Sequence, residues 1–156
     1  MVRLSPRFEA EYEAWIAGAI REYAEEKVRA GNWPADDALR RAEEEFHQLL
    51  PNGLATPGDH LLSIEDAEGG AKIGILWLEI QEAERGRPFI YDFRTHEPLR
   101  RRGYGLQALR VLDEMARGLV MREIGLHVFG HNLAARALYE KAGYHVTNVT
   151  MARRLD

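Results

Sequence analysis

The chain contains no cysteine. That removes disulfides, thiolate metal sites and a cysteine nucleophile together. It also lacks any uninterrupted apolar run near the ~20 residues that cross a bilayer. Residues 1–10 carry Arg3, Arg7 and Glu9 and no apolar h-region, so no secretory signal is read there. The expectation is a cytoplasmic, soluble protein with no membrane partner. Positive charge is not in excess: the formal net charge is -4. Arg100–Arg102 extend into no wider basic stripe, which argues against a nucleic-acid partner. His47, His60, His96, His131 and His145 show no metal-ligand spacing such as H-E-x-x-H, so no metal site is expected. Repeats and low-complexity segments are absent. What is present is ordinary for a globular domain: 156 residues, 46% apolar and 29% charged. This suits one domain, 1–156, with a core of its own.

Hydrophobic spacing gives the element order. Met1–Leu4 reads as a short strand, followed by a helix that starts near Ser5-Pro6. That helix buries Tyr12, Trp15, Ile16, Ala19, Ile20 and Tyr23 and stops at Gly31-Asn32. Pro34 suits the first turn of a second helix with Leu39, Ala42, Phe46 and Leu49 inward. After a Pro/Gly-rich loop (Leu50–Asp59), His60–Glu65 and Lys72–Gln81 read as paired strands. The second is apolar on both faces and therefore central. A turn around Arg85-Gly86-Arg87 leads to a strand at Pro88–Thr95. A helix after Gly105 has the stripe Leu106, Leu109, Leu112, Ala116 and Leu119. Then come a strand at Ile124–Phe129, a helix from Asn132 to Ala142 ended by Gly143, and a closing strand at Tyr144–Met151. The fold class expected is α+β: a mixed, mostly antiparallel twisted sheet covered by helices on both faces, a three-layer α/β/α sandwich.

Arg100-Arg101-Arg102-Gly103-Tyr104-Gly105 carries the most chemistry. A strand, two glycines one residue apart and a helix start place several free N–H groups at the positive end of a helix dipole. Glycine lets a phosphate approach the backbone, and the arginines add cationic donors. A plain tight turn is the alternative. Gly103 to Ala108 also satisfies G-x-G-x-x-G/A, but His96–Arg102 separate it from its strand, it lies late in the chain, and no acidic residue ends the next strand. Without G-K-[ST], a triphosphate P-loop is excluded.

Two separated patterns now resemble the GNAT superfamily of acyl-CoA N-acyltransferases. One is Q/R-x-x-G-x-G/A at Arg100–Gly105. The other is N-x-x-A-x-x-x-Y-x-x-x-G-F/Y at Asn132, Ala135, Tyr139, Gly143 and Tyr144. The resemblance implies acetyl-CoA as cofactor. It implies that backbone groups of Phe93, Arg94 and Thr95 pair with the pantetheine arm, and that the N–H groups of Arg100, Arg101, Arg102, Gly103, Tyr104 and Gly105 receive the pyrophosphate. Asn132 would cap its helix and touch the cofactor arm, and Tyr139 would serve the departing thiolate. A family proline three residues before the Q/R position is Glu97 here, with Pro98 one place later.

A thioester attacked by a neutral amine needs donors for the developing oxyanion, a proton for sulfur and a base or water chain for the ammonium. With no cysteine, direct attack without an acyl-enzyme is the simpler route. Candidate bases are His127, in mid-strand and otherwise a packed histidine, and Glu79, an acid on an apolar strand or else at its wet end. Asp92 and Glu97 rank below them. The alternative function is a catalytically silent acyl-CoA-binding module of the same fold. The acceptor, a small-molecule amine or a peptide N-terminus, is not encoded legibly, and homodimerisation is left open.

Overall fold

β2 (Asp59–Asp66) and β3 (Lys72–Glu79) are buried on both faces because helices cover both sides of them. This is seen in a computed structural model that describes residues 1–80 and 87–156. β1 (Val2–Pro6), β2, β3 and β4 (Phe89–Thr95) form antiparallel ladders, and β5 (Gly125–Leu126) joins β4 in parallel, in the order β1-β2-β3-β4-β5. Helices α1 (Glu9–Arg29) and α2 (Ala38–Leu49) lie on one face, while α3 (Tyr104–Gly118) and α4 (Leu133–Lys141) lie on the other. The three-layer α+β architecture is therefore the observed one.

Trp77 centres the α1/α2 side. Its ring meets Trp15 edge-on at 5.7 Å, Phe46 at 5.5 Å and Tyr91 in a stack at 4.8 Å. Its Nε1 donates to Asp59 at 2.7 Å, so the indole is buried without an orphaned donor. On the opposite side Leu62, Leu76, Leu78 and Ile90 meet Leu109 and Leu112 of α3. α1 begins where the Glu11 carboxylate accepts the Phe8 N–H at 2.9 Å, half of a capping box.

Several boundaries differ from the sequence reading. β1 runs on to Pro6, and α1 starts at Glu9 rather than near Ser5. α2 starts at Ala38, not at Pro34; Ala38 takes the inward place and leaves Leu39 52% exposed. Small Ala24, Ala38 and Ala42 let α1 and α2 close together. Leu119 lies past the last turn of α3 and is 51% exposed. The strand expected at Ile124–Phe129 is reduced to two residues, and the one expected at Tyr144–Met151 does not form. Gln81 and most of the turn around Arg85-Gly86-Arg87 lie outside the described residues.

Two local features of β4 set the shape of its free end. A bulge leaves Tyr91 extra, because Trp77 faces Asp92 while Leu78 faces Ile90. Gly74 then lets β3 and β4 approach so closely that a Cβ there would stand 2.1 Å from the Arg94 carbonyl oxygen and 2.9 Å from Thr95 Cα. Both obstacles are backbone, so the strands themselves must part. Gly74→Val is expected to cost about 3 kcal/mol, at the upper end for overpacking, and to lower Tm by roughly 10 °C. A thermal melt that matches the wild type would contradict this contact.

Candidate active site

β4 and β5 pair only at Phe89–Gly125 and Ile90–Leu126. Beyond that point they separate, and the reason lies in what holds the chain after β5. His131 makes an ion pair with Glu26 of α1. The ammonium of Lys27 sits 5.2 Å from the Trp33 ring, 5.5 Å from Tyr23 and 6.0 Å from Phe129. These contacts fasten residues 129–131 to α1 instead of to β4. The free stretch of β4 beside the resulting gap contains Phe93, Arg94 and Thr95.

The chain leaves β4 through one 3₁₀ turn, Glu97–Leu99, with Pro98 in its first positions. The Arg100 N–H is used there, donating to the Glu97 carbonyl at 3.2 Å, and its Nε donates to Thr95 O at 3.1 Å. Arg100 thus closes the turn. Past it the backbone twists into the left-handed region twice, at Arg101 (φ 63°) and Gly103 (φ 83°). Among the described residues, the N–H groups of residues 101–106 donate to nothing; the ladder of α3 opens with Gln107 N–H to Gly103 O at 3.1 Å. Left-handed turns of this kind make concave N–H nests for anions, here at the positive end of a fifteen-residue helix. The side chains of Arg101 and Arg102 are exposed at its rim. A Cβ on Gly103 would meet nothing within 4 Å. Only its φ, and the space an anion would fill, call for glycine. Gly103→Ala is expected to cost about 1 kcal/mol in stability and several-fold more in affinity for a diphosphate-bearing ligand, read by melting and by calorimetry side by side.

Gly105 links the nest to α4. A Cβ there would stand 3.0 Å from Leu138 Cδ2 and 3.8 Å from the Phe93 ring, so glycine brings α4 against the first turn of α3. α4 is capped by Asn132, whose Oδ1 accepts the Ala135 N–H at 3.2 Å. The next residue after Leu138 is Tyr139, with its ring 6.3 Å from Phe93 and 5.7 Å from Tyr144. Burial, with the Asp92 charge second, pushes the Tyr139 phenol up to about 12. It therefore holds its proton at any ordinary pH. The buried Tyr144 hydroxyl has no hydrogen-bond partner among the described residues.

The acids and bases are distributed unevenly. Glu79 stands at the end of β3 opposite Asp59 and Phe89, beside the paired end of β4, and the Tyr91 hydroxyl bonds to it. His127 follows β5, edge-on to Phe129 at 4.9 Å; partial burial, then the Lys27 charge, lower its pKa. Asp92 lies where the two strands begin to part. Burial pushes its carboxyl up to about 6, against the pull of the Trp15 indole, the Phe93 N–H and Arg7. Trp15 Nε1 donates to it at 3.1 Å and Arg94 Nη2 at 3.0 Å, while Arg94 also reaches Glu22. Strand alternation hides this arrangement from the sequence. The bulge at Tyr91 turns Tyr91 and Asp92 toward the α1 face together, and the sequence signal is an acid two residues before an arginine in a strand that starts apolar.

Comparison with known proteins places the geometry in a family. The model of the acetyltransferase (GNAT) family matches residues 12–144. The N-acetyltransferase YycN of Bacillus subtilis is 41% identical over 155 residues, 99% of each chain. Its crystal structure superposes with a TM-score of 0.93 over 99% of both chains. The mycothiol acetyltransferase of Beutenbergia cavernae is 32% identical over 87% of this chain and 42% of its own length. With its nest before α3, its splayed β4 and β5 and this sequence kinship, the chain belongs to the GNAT family of acetyltransferases.

Proposed function

We propose that the protein transfers an acetyl group from acetyl-CoA to a primary amine by direct attack. The observation that carries this reading is the row of undonated amides from 101 to 106, opening beside a splayed strand that leads to Tyr139. The residues fit the donor on physical grounds: a nest suited to a diphosphate, a free strand edge at Phe93–Thr95 suited to an amide-bearing arm, and a protonated phenol beyond it. Asn132 spends its carbonyl on the α4 cap, which leaves its amide donors to face that arm. Acetyl-CoA supplies the activated acyl group as a thioester.

The protein's own groups then divide the proton work. Asp92, ionised above about pH 6, takes the proton that an ammonium must lose before nitrogen can bond to carbon. Tyr139 donates a hydrogen bond or a proton to the sulfur as its bond to the acyl carbon breaks. His127 and Glu79 stand outside this pair in our reading, since one follows β5 and the other lies at the paired end of β4. The test is thiol release from acetyl-CoA across a panel of amines, run beside calorimetric titration of CoA. Binding with turnover supports the reading. Binding without turnover on any amine would leave only acyl-CoA capture.

A further inference from the structure

Asp92 is crowded with donors. Its Oδ1 accepts from Arg94 Nε at 3.2 Å and from Arg94 Nη2 at 3.1 Å. Its Oδ2 accepts from Arg94 Nη2 at 3.0 Å and from Trp15 Nε1 at 3.1 Å. The Phe93 N–H bonds to the carboxyl as well. A carboxylate has about four lone-pair sites, so another proton-bearing nitrogen reaches this one by replacing a donor. The indole is fixed in the core between Phe46 and Trp77, and the Phe93 amide is fixed in β4. Arg94 is different, because its remaining nitrogen, Nη1, already bonds Glu22 on α1. Side-chain exposure rises outward along the three, from 15% at Asp92 through 31% at Arg94 to 54% at Glu22. One guanidinium is thus shared between a buried carboxylate and one that solvent reaches.

We propose that Arg94 stands in for the acceptor's ammonium on Asp92, and that Glu22 keeps Arg94 when an acceptor takes its place. This rests on Asp92 as the proton acceptor of the proposed transfer. The ammonium displaces the Arg94 fork, passes one proton to the carboxylate and becomes the neutral nucleophile. Arg94 keeps its own proton and turns outward to Glu22. Cation is exchanged for cation, so the buried carboxylate is at no point left without a positive neighbour. The other groups that face Asp92 are constant. Arg7, which follows β1, acts on it through charge alone. Trp77 of β3, opposite it in register, is uncharged, and the Tyr139 phenol of α4 holds its proton. Arg100 acts on Arg94 by like-charge repulsion. Glu22 and Arg94 are therefore positioning residues, working through Asp92.

Arg94→Gln and Glu22→Gln both break the tie between α1 and β4, so a merely structural tie would shift both variants the same way. The exchange expects opposite directions. The Trp15 indole N–H, followed by NMR against pH, reports the charge on Asp92 with no acyl donor or amine present. Its midpoint should rise by about one pH unit or more in Arg94→Gln, where the carboxylate loses a cation. In Glu22→Gln it should fall, because Arg94 then belongs to Asp92 alone. Arg94→Lys keeps the charge and should lie nearer the wild type than Arg94→Gln does. The Trp77 indole, bonded to Asp59, should titrate alike in all of them. In thiol release, Glu22→Gln should raise the acceptor KM several-fold, by more than kcat falls, since Arg94 is harder to displace. Shifts in one direction, no shift, or a loss confined to kcat overturns the proposal. Thiol release absent for every amine, with the opposite shifts intact, would overturn the proposed activity and not the shared guanidinium.

Discussion

Asp92→Asn is expected to lower kcat by about 10²–10⁴-fold, the span of a positioned general base, and to erase the acid limb of the pH profile. In the wild type that limb should have an apparent pKa of about 6, since burial raises the carboxyl from 3.8 to about 6. The sign is direct: below that value the carboxyl carries a proton and cannot accept another, so the rate rises with pH through about 6. The amide of asparagine keeps an acceptor for the Trp15 indole, so a collapsed fold is not the expected cause. A kcat–pH curve in the variant that retains the limb would assign the base elsewhere, with His127 and Glu79 next to be tried. Acyl-donor affinity should be nearly unchanged, because the nest lies at the other end of the free β4 edge.

Tyr139→Phe is the second large effect. Removing one hydroxyl from a buried ring leaves packing against Phe93 and Tyr144 in place, so stability should change by about 1 kcal/mol or less. Turnover should fall by about 10²-fold or more while CoA still binds. The phenol is pushed up to about 12, so its proton is available throughout the neutral range and no alkaline limb should arise from it. The departing thiolate must then leave unaided or take a proton from water. A poorer acyl donor, with a more basic leaving thiol, should therefore suffer more in the variant than acetyl-CoA does. Equal losses for both donors would contradict a role at sulfur.

The two motifs that carry the family resemblance were legible because each is local. A left-handed glycine before a helix and an asparagine that caps α4 are demands of a few consecutive residues, and both appear where the spacing puts them. The layers were legible for the same reason: β3 reads as buried on both faces and is so. What sequence periodicity missed depends on contacts between distant segments. The bulge at Tyr91 lies where β3 and β4 shift register between Trp77 and Leu78, and by turning Asp92 toward Trp15 of α1 it lifts that acid above Glu79 and His127 in our reading. The strand expected at Ile124–Phe129 is cut short by Glu26 and Lys27, more than ninety residues earlier, drawing His131 and Phe129 toward α1. Tyr144–Met151 has the composition of a strand but pairs with no described strand of its own chain.

Calorimetric titration with CoA and with pantetheine, which lacks the diphosphate and the phosphoadenosine beyond it, run on the wild type and on Gly103→Val, tests the central claim most directly. If the amides from 101 to 106 grip the diphosphate, two or more charge-assisted hydrogen bonds are lost with it, and pantetheine should bind at least about a hundredfold more weakly than CoA. Gly103→Val should bring CoA down toward the pantetheine value while leaving pantetheine itself unaffected. Equal affinity for the two ligands, or a Gly103→Val protein that binds CoA as the wild type does, would contradict the account.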